Sequence, residues 1–261
     1  MKYVTRAASA PSDPKSKTTD GVRGHPLAQD SGSYLSPQCN HDTMDLYVIR
    51  TGILRGLTEN LQHFEGDVLD VGCGYQPYRR LIEAPPSRAS RYVGMDLSSG
   101  LYDGAPDVKW DGTTIPFSEH SFQSALATEV LEHCANPQKV LNEINRILKP
   151  GGFFFFSVPF MWPLHDMPHD EYRYTPTALT RHLEEAGFCQ ISIKATGGWD
   201  ASLSQMIALW VRNRPMATWK RTALSIVAEP FVRFLARRDR PPASFIQYVM
   251  VPGFVGTAIK R

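Results

Sequence analysis

The chain is poor in cysteine and in net charge, and it has no long uninterrupted apolar run. Its four cysteines, Cys39, Cys73, Cys134 and Cys189, are scattered without the paired spacing of a zinc site or a disulfide scaffold. They read as free thiols of a reducing compartment. Lys and Arg number 28 against 26 Asp and Glu, which leaves +2 over 261 residues, so the chain as a whole has no polyanion-binding charge. No stretch is long and apolar enough to suggest a signal peptide or a membrane span. These absences point to a cytoplasmic protein, and the 42% hydrophobic content is enough for a substantial core.

What the chain does have is a series of acids at the ends of apolar strands. In VLDVGCG, from Val68 to Gly74, bulky apolar residues flank Asp70 and lead to a turn at Gly72 and Gly74, where the backbone can approach a ligand without side-chain obstruction. About twenty residues on, RYVGMDLS carries a second apolar strand (Tyr92, Val93, Met95) into Asp96 and Leu97, the spacing at which an acid reaches a ribose diol from the neighbouring strand end. Asp111 and Gly112 end a third short strand in VKWDGTTIPF. Three acids at successive strand ends suit a nucleoside bearing a positive charge better than a pyrophosphate, which takes bare N–H groups and bases. The reading therefore favours S-adenosylmethionine over NAD.

On VLDVGCG, GMD, DGTTIPF, ALATEVLEH and LKPGGFFFFSVPF, in that order over roughly Val68 to Phe188, the chain resembles the class I S-adenosylmethionine-dependent methyltransferases, in particular the type 11 group. The resemblance implies an α/β fold, a Rossmann-like doubly wound sheet of seven strands with the last strand antiparallel. It implies S-adenosylmethionine as cofactor, with the Asp70, Gly72 and Gly74 turn beside its methionine portion. Asp96 and Leu97 would then lie at the ribose, Asp111 and Gly112 at the adenine, and Thr128 near the sulfonium.

Residues 1–33, rich in Ser, Thr, Pro, Asp, Gly and Lys, read as disordered. Residues 34–66 carry apolar positions at helical spacing and are expected as helices at the edge of the cofactor cleft. Residues 67–196 form the core, with helices over Pro137 to Leu148 and Thr177 to Ala186 and strands over Phe153 to Val158 and Phe188 to Ala195. Residues 197–251 are a helical insertion before the last strand, residues 252–261. Between Arg212 and Arg240 the insertion has eight basic residues against Glu229 and Asp239. Peripheral contact with an anionic membrane, a grip on a phosphorylated substrate and a solvated helical lid are all compatible with that pattern.

Acceptor chemistry is expected at two places. In TEVLEH, a helix would put Glu129, Glu132 and His133 on one face. That set is similar to the one with which O-methyltransferases of small-RNA ends and of ubiquinone precursors hold a divalent ion. The other reading is a hydrogen-bonded cap on the cleft wall, and a metal is not expected. In PLHDMPHDEYRYT, a loop at the carboxyl edge of the sheet gathers titratable groups whose density is costly unless solvated or used. His169 is the first candidate for the base that receives a hydroxyl proton, with His165 and His133 behind it. Tyr172 and Arg173 are candidates for contacting a hydroxylated or anionic acceptor, and pairing with Asp170 is the bracing alternative for Arg173.

The acceptor implied by the resemblance is a small-molecule or glycan hydroxyl. Nucleic acid is disfavoured by the absence of overall basicity, and the Asn/Asp-Pro-Pro-Tyr/Phe motif that grips an exocyclic amine is missing after the fourth strand, where ATEV stands. An RNA ribose methyltransferase survives that objection as an alternative. A non-catalytic methyltransferase-like binding or scaffold protein is the other, and the intact Asp70, Gly72, Gly74, Asp96 and Asp111 argue against it.

Overall fold

Phe153, Phe154, Phe155 and Phe156 are consecutive and all buried, so the strand that carries them must be covered on both faces. They divide accordingly. Phe153 and Phe155 join a cluster with Leu57, Phe64 and Val68, while Phe154 and Phe156 join a larger one with Ile144, Leu183 and Phe188 on the other face. The computed structural model, which describes residues 32–97 and 106–261, places this strand inside a seven-stranded sheet. The disorder expected of residues 1–33 falls almost wholly on residues outside the described ones.

The strands are β1 (Glu65–Val71), β2 (Arg88–Leu97), β3 (Val108–Trp110), β4 (Phe122–Thr128), β5 (Leu148–Pro159), β6 (Phe188–Ala195) and β7 (Gly253–Lys260). Their order is β3-β2-β1-β4-β5-β7-β6. The pairs among β1 to β5 are parallel, and β7 runs antiparallel to both β5 and β6. This is the doubly wound sheet with an antiparallel last strand that the motifs imply. β1 begins at Glu65, earlier than the apolar residues mark it, because its exposed first residues pair with Arg88 and Ala89 of β2.

The helices are α1 (Gly32–Leu35), α2 (Met44–Asn60), α3 (Arg79–Ile82), α4 (Pro137–Ile147), α5 (Pro176–Glu185), α6 (Trp199–Asn213) and α7 (Thr218–Arg238). α2 covers one face of the sheet through Ile49, Ile53 and Leu57. α4 and α5 cover the other. Both start with a side-chain cap and a proline in the first turn: Asn136 accepts from the Lys139 N–H at 3.0 Å, and Thr175 from the Ala178 N–H at 3.3 Å. The residues between β6 and β7 form the helical hairpin α6–α7, which packs on α2 through Met44, Ala208, Val211 and Val232. Polar ties reinforce that contact. Gln205 Nε2 donates to the Asp45 carbonyl at 2.7 Å, and Arg212 to the His41 carbonyl at 3.0 Å.

Gly256 of β7 stands opposite Phe156 in register, and a Cβ added there would fall 2.3 Å from Phe156 Cζ. Phe156 is fully buried and stacks on Phe154, which in turn stacks on Phe188, so the ring has little room to retreat. Gly256→Ala is expected to destabilise the fold by about 1–3 kcal/mol through overpacking. Urea unfolding measures this as a lower midpoint with an unchanged slope; an unchanged midpoint would show that the aromatic stack can shift at no cost.

Candidate cofactor and acceptor site

Strand order reverses between β1 and β4, and in such sheets ligands enter the crevice outside the carboxyl ends of the strands at that point. Gly72 turns the chain there at φ +68°, and a Cβ on it would lie 2.5 Å from Val130 Cγ2. Only glycine fits. The Gly72 and Cys73 N–H groups both donate to the Met95 carbonyl, at 2.8 and 3.0 Å, which stitches the turn to β2. Asp96 closes the stitch: Gly74 N–H donates to its Oδ2 and Leu97 N–H to its Oδ1, each at 2.6 Å. Burial raises the pKa of Asp96 despite these two bonds. Beneath it Asp70 is fully buried, accepts from the Tyr92 hydroxyl at Oδ2, and is pushed up to about 7 by burial.

Asp111 lies farther out, immediately after β3. Its Oδ1 accepts from the Thr113 and Thr114 N–H groups at 2.7 Å and from the Thr113 hydroxyl at 3.0 Å, and the backbone donors hold its carboxyl below the usual range. Gly112 sits beside Leu97, whose Cδ2 would be 3.2 Å from an added Cβ. Thr128 ends β4, paired with Ser157 of β5 and partly buried at the crevice. The turn, Asp96, Leu97 and Thr128 thus border one edge, and they could hold a nucleoside-bearing cofactor.

The helix expected over TEVLEH does not form. Glu129 has φ +55°, and its N–H turns back to β5, donating to the Ser157 carbonyl at 3.1 Å and to its hydroxyl at 3.2 Å. Ser157 Oγ in turn donates to Glu129 Oε1 at 2.7 Å, and burial pushes Glu129 up to about 7. Only a single 3-10 turn, Leu131–His133, follows. The shared face of Glu129, Glu132 and His133 is therefore replaced by a different grouping. One ligand atom from each of Glu132, His133 and His165 lies within 4.8 Å of the others.

Glu132 is fully buried, and neither carboxyl oxygen has a hydrogen-bond partner among the described residues. Burial, then the neighbouring Glu129, pushes its pKa well up. His133 Nδ1 lies 3.0 Å from the His169 carbonyl. A carbonyl only accepts, so Nδ1 carries the proton, and in the neutral ring Nε2 keeps its lone pair. Nε2 is 3.8 Å from Glu132 Oε1 and 3.9 Å from Asp166 Oδ2. The His165 ring packs edge-on at 4.7 Å from the His133 ring, its Nδ1 lies 3.4 Å from Asp170 Oδ2, and burial lowers its pKa. Two nitrogens and a carboxylate at this spacing suit a borderline divalent ion as donors.

The loop that carries these groups is held from inside. Arg173 donates to both oxygens of Asp170, at 2.6 and 2.9 Å, and to the carbonyls of Trp162, Pro163 and Tyr172. Its donors are thus engaged within the loop. Tyr172 stacks on Tyr174 at 5.5 Å, with its hydroxyl 3.4 Å from the Ala135 carbonyl. His169 is exposed, and its carbonyl rather than its ring reaches His133. Sequence reasoning missed Tyr92, read as an apolar strand residue, and Ser157. The available signals were the hydroxyl of Tyr92 among the apolar residues of β2 and Ser157 near the end of the otherwise apolar β5 run.

The strand order, with its crevice at the reversal between β1 and β4, defines a doubly wound α/β class. A family model described as a methyltransferase domain matches residues 69–156. The chain is 29% identical over 177 residues to an uncharacterized methyltransferase of Mycobacterium sp. (strain JLS), covering 60% of this chain and 69% of that protein. An S-adenosylmethionine-dependent methyltransferase from Mesorhizobium loti has the same fold at TM-score 0.50 and 17% identity, with 80% of this chain and 98% of that chain covered. So does the (4+2)-cyclase SpnF, at TM-score 0.50 and 18% identity, with 86% and 84% covered. The matched domain and these likenesses support a class I S-adenosylmethionine-dependent methyltransferase.

Asp170 is held down to about 2, first by its bonds from Arg173. Its folded pKa is below the unfolded value of about 3.9, so the stability it contributes is present above that value and is lost as pH falls through about 2. The side chain is fully buried, and the shift corresponds to about 2 kcal/mol. Arg173→Ala is expected to remove most of that at pH 7, and the gap to wild type is expected to narrow between pH 4 and pH 2 (about the window set by the two pKa values). Denaturant curves across that range measure it, and a pH-independent gap would assign the cost to lost packing alone.

Proposed function

We propose that this methyltransferase transfers the methyl group of S-adenosylmethionine to a hydroxyl oxygen of a small-molecule or sugar-type acceptor, with His133 and His165 as the proton-receiving groups. The observation that carries the reading is the His133 tautomer: the His169 carbonyl occupies Nδ1, which leaves Nε2 basic beside Glu132, Asp166 and His165. In the reaction the acceptor oxygen forms a bond to the methyl carbon as the carbon–sulfur bond breaks. The electron pair stays on sulfur, and the hydroxyl proton goes to imidazole nitrogen. The sulfonium already activates the carbon, so the chain's part is to position the oxygen and take the proton. His165, its pKa lowered by burial, is neutral near pH 7 and competent for the same task. A fold shared with a cyclase leaves the reaction to the site residues, and the proposal rests on those.

The unpartnered Glu132 carboxyl favours a second reading. Glu132, His133 and His165 would hold a divalent ion, which would bind acceptor oxygens and lower a hydroxyl's pKa. Calorimetry with Mg²⁺, Mn²⁺ and Zn²⁺ on wild type and Glu132→Gln separates the two: ion binding lost in the variant supports the second reading, and no ion heat in wild type removes it.

Cofactor placement is tested through Asp96. Asp96→Ala is expected to weaken S-adenosylmethionine binding by about 1.5–3 kcal/mol, since it removes a charged acceptor at the ribose end of the turn. Unchanged calorimetric affinity in that variant would reject the placement.

Acceptor chemistry is tested by S-adenosylhomocysteine release across a panel of sugars and phenols, then by single-turnover rates on any acceptor found. His133→Ala is expected to cut the chemical step by about a hundredfold or more with cofactor affinity unchanged. His165→Ala should do less. His169→Ala should do little, because its contribution is a backbone carbonyl. Wild-type rates in a stable His133→Ala protein would sink the assignment.

A further inference from the structure

The α6–α7 hairpin buries one face against α2 and leaves a large apolar face outside. On α6, Trp199, Leu203, Met206 and Trp210 recur at helical spacing, and all are exposed. On α7, Trp219 (70% exposed), Val227 (75%), Phe231 and Phe234 do the same. The two stripes meet at one end, where Trp199 and Phe234 line a groove of about 500 Å³ with Arg238 and Arg240. Trp199 Nε1 also donates to the Tyr248 carbonyl at 3.0 Å, which brings that exposed tyrosine alongside. The result is an apolar surface far beyond the scattered exposed residues normal in a soluble domain.

Cations rim this surface. Arg214 lies over the Trp210 ring at 5.1 Å, Lys220 over Trp219 at 5.5 Å and Arg238 over Phe234 at 5.4 Å. The local acids are committed elsewhere. Asp200 pairs with Arg238 at 3.2 Å, Glu229 pairs with Arg233, and Asp239 accepts from the Gly198 and Ala201 N–H groups at 2.9 and 2.8 Å. Arg214, Lys220, Arg221, Arg237 and Arg240 have no carboxylate in salt-bridge range among the described residues.

We propose that the α6–α7 hairpin docks the protein on the surface of an anionic lipid bilayer. An aromatic face rimmed by arginine and lysine is the chemistry of an interfacial helix pair: apolar groups enter the acyl boundary while the cations meet lipid phosphates. No described helix is long and apolar enough to cross a membrane, so the hairpin lies on the bilayer. A second copy of the chain fits less well, because it would bring two uncompensated basic rims together. The hairpin leaves β6 and returns to β7 at Gly253, beside Pro159 of β5, from which the acceptor loop continues. Docking therefore sets that edge of the sheet near the lipid.

The test is co-sedimentation of the full chain with phosphatidylcholine vesicles containing or lacking phosphatidylglycerol, alongside tryptophan emission. Binding with a blue shift is expected only where phosphatidylglycerol is present. Removing three cations in Lys220→Gln, Arg237→Gln, Arg240→Gln should weaken it roughly a hundredfold, and Trp219→Ser, Val227→Ser, Phe231→Ser should weaken it comparably. Both variants alter exposed residues only, and their melting curves and cofactor affinity should match wild type. Three outcomes overturn the proposal: absence of vesicle binding, equal binding to neutral vesicles, and self-association in sedimentation velocity that the apolar variant abolishes in a protein blind to vesicles.

Discussion

At the seam between β1 and β4 the chain leaving Val71 has to pass in contact with Val130, and it can do so only because Gly72 has no side chain. Both halves of the site hang on that approach. On one side it sends the turn through Gly74 to Asp96. On the other it fixes Val130, from which the 3-10 turn of Leu131–His133 hangs. A larger residue at 72 would push the Gly74–Asp96 turn and the Leu131–His133 turn apart together, which ties both to one steric constraint.

That shared edge concentrates carboxyl groups in a dry place. Asp70, Asp96, Glu129 and Glu132 all have pKa values raised chiefly by burial. Each folded pKa lies above its unfolded value, so ionising these groups favours the unfolded chain as pH rises from the usual carboxylate range toward 7 (about the value for Asp70 and Glu129). A sulfonium beside them would favour the ionised forms and offset part of that cost. The acids whose ionised forms burial disfavours are thus the groups that a cation beside them would help to ionise.

The placement of Asp70, Gly72 and Asp96 at one sheet edge is legible in the sequence because it depends on local spacing. An acid at the end of each apolar strand and glycines in the first turn put Asp70, Asp96 and Gly72 where parallel strands must bring them. Asp111 is legible as a strand-end acid, but the engagement of its Oδ1 by Thr113 and Thr114 is a property of its own turn. The grouping of Glu132, His133 and His165 is less legible, since it is made by backbone. Glu129 leaves the helical path because its N–H finds Ser157 on the neighbouring strand, and His169 contributes through a carbonyl that any residue possesses. A sequence displays ring chemistry, so the eye falls on the His169 imidazole, whereas the fold uses the peptide group behind it. Glu132 was visible as an acid, but that its carboxyl has no hydrogen-bond partner among the described residues was not.

The same backbone contacts explain how a loop with little regular structure can hold His165 in place beside His133. The Glu132 carbonyl accepts from both the Glu171 and Tyr172 N–H groups, at 2.9 and 3.1 Å, and the Leu131 carbonyl accepts from the buried Tyr174 hydroxyl at 2.8 Å. The turn after β4 and the loop after β5 are therefore tied together at successive residues, with the Asp170–Arg173 pair closing the loop on itself. His133 and His165 approach from these two different elements, so their relative position is set by that tie and not by either segment alone. Groups held this way need little reorganisation when a ligand arrives, because the backbone bonds that place them are already made.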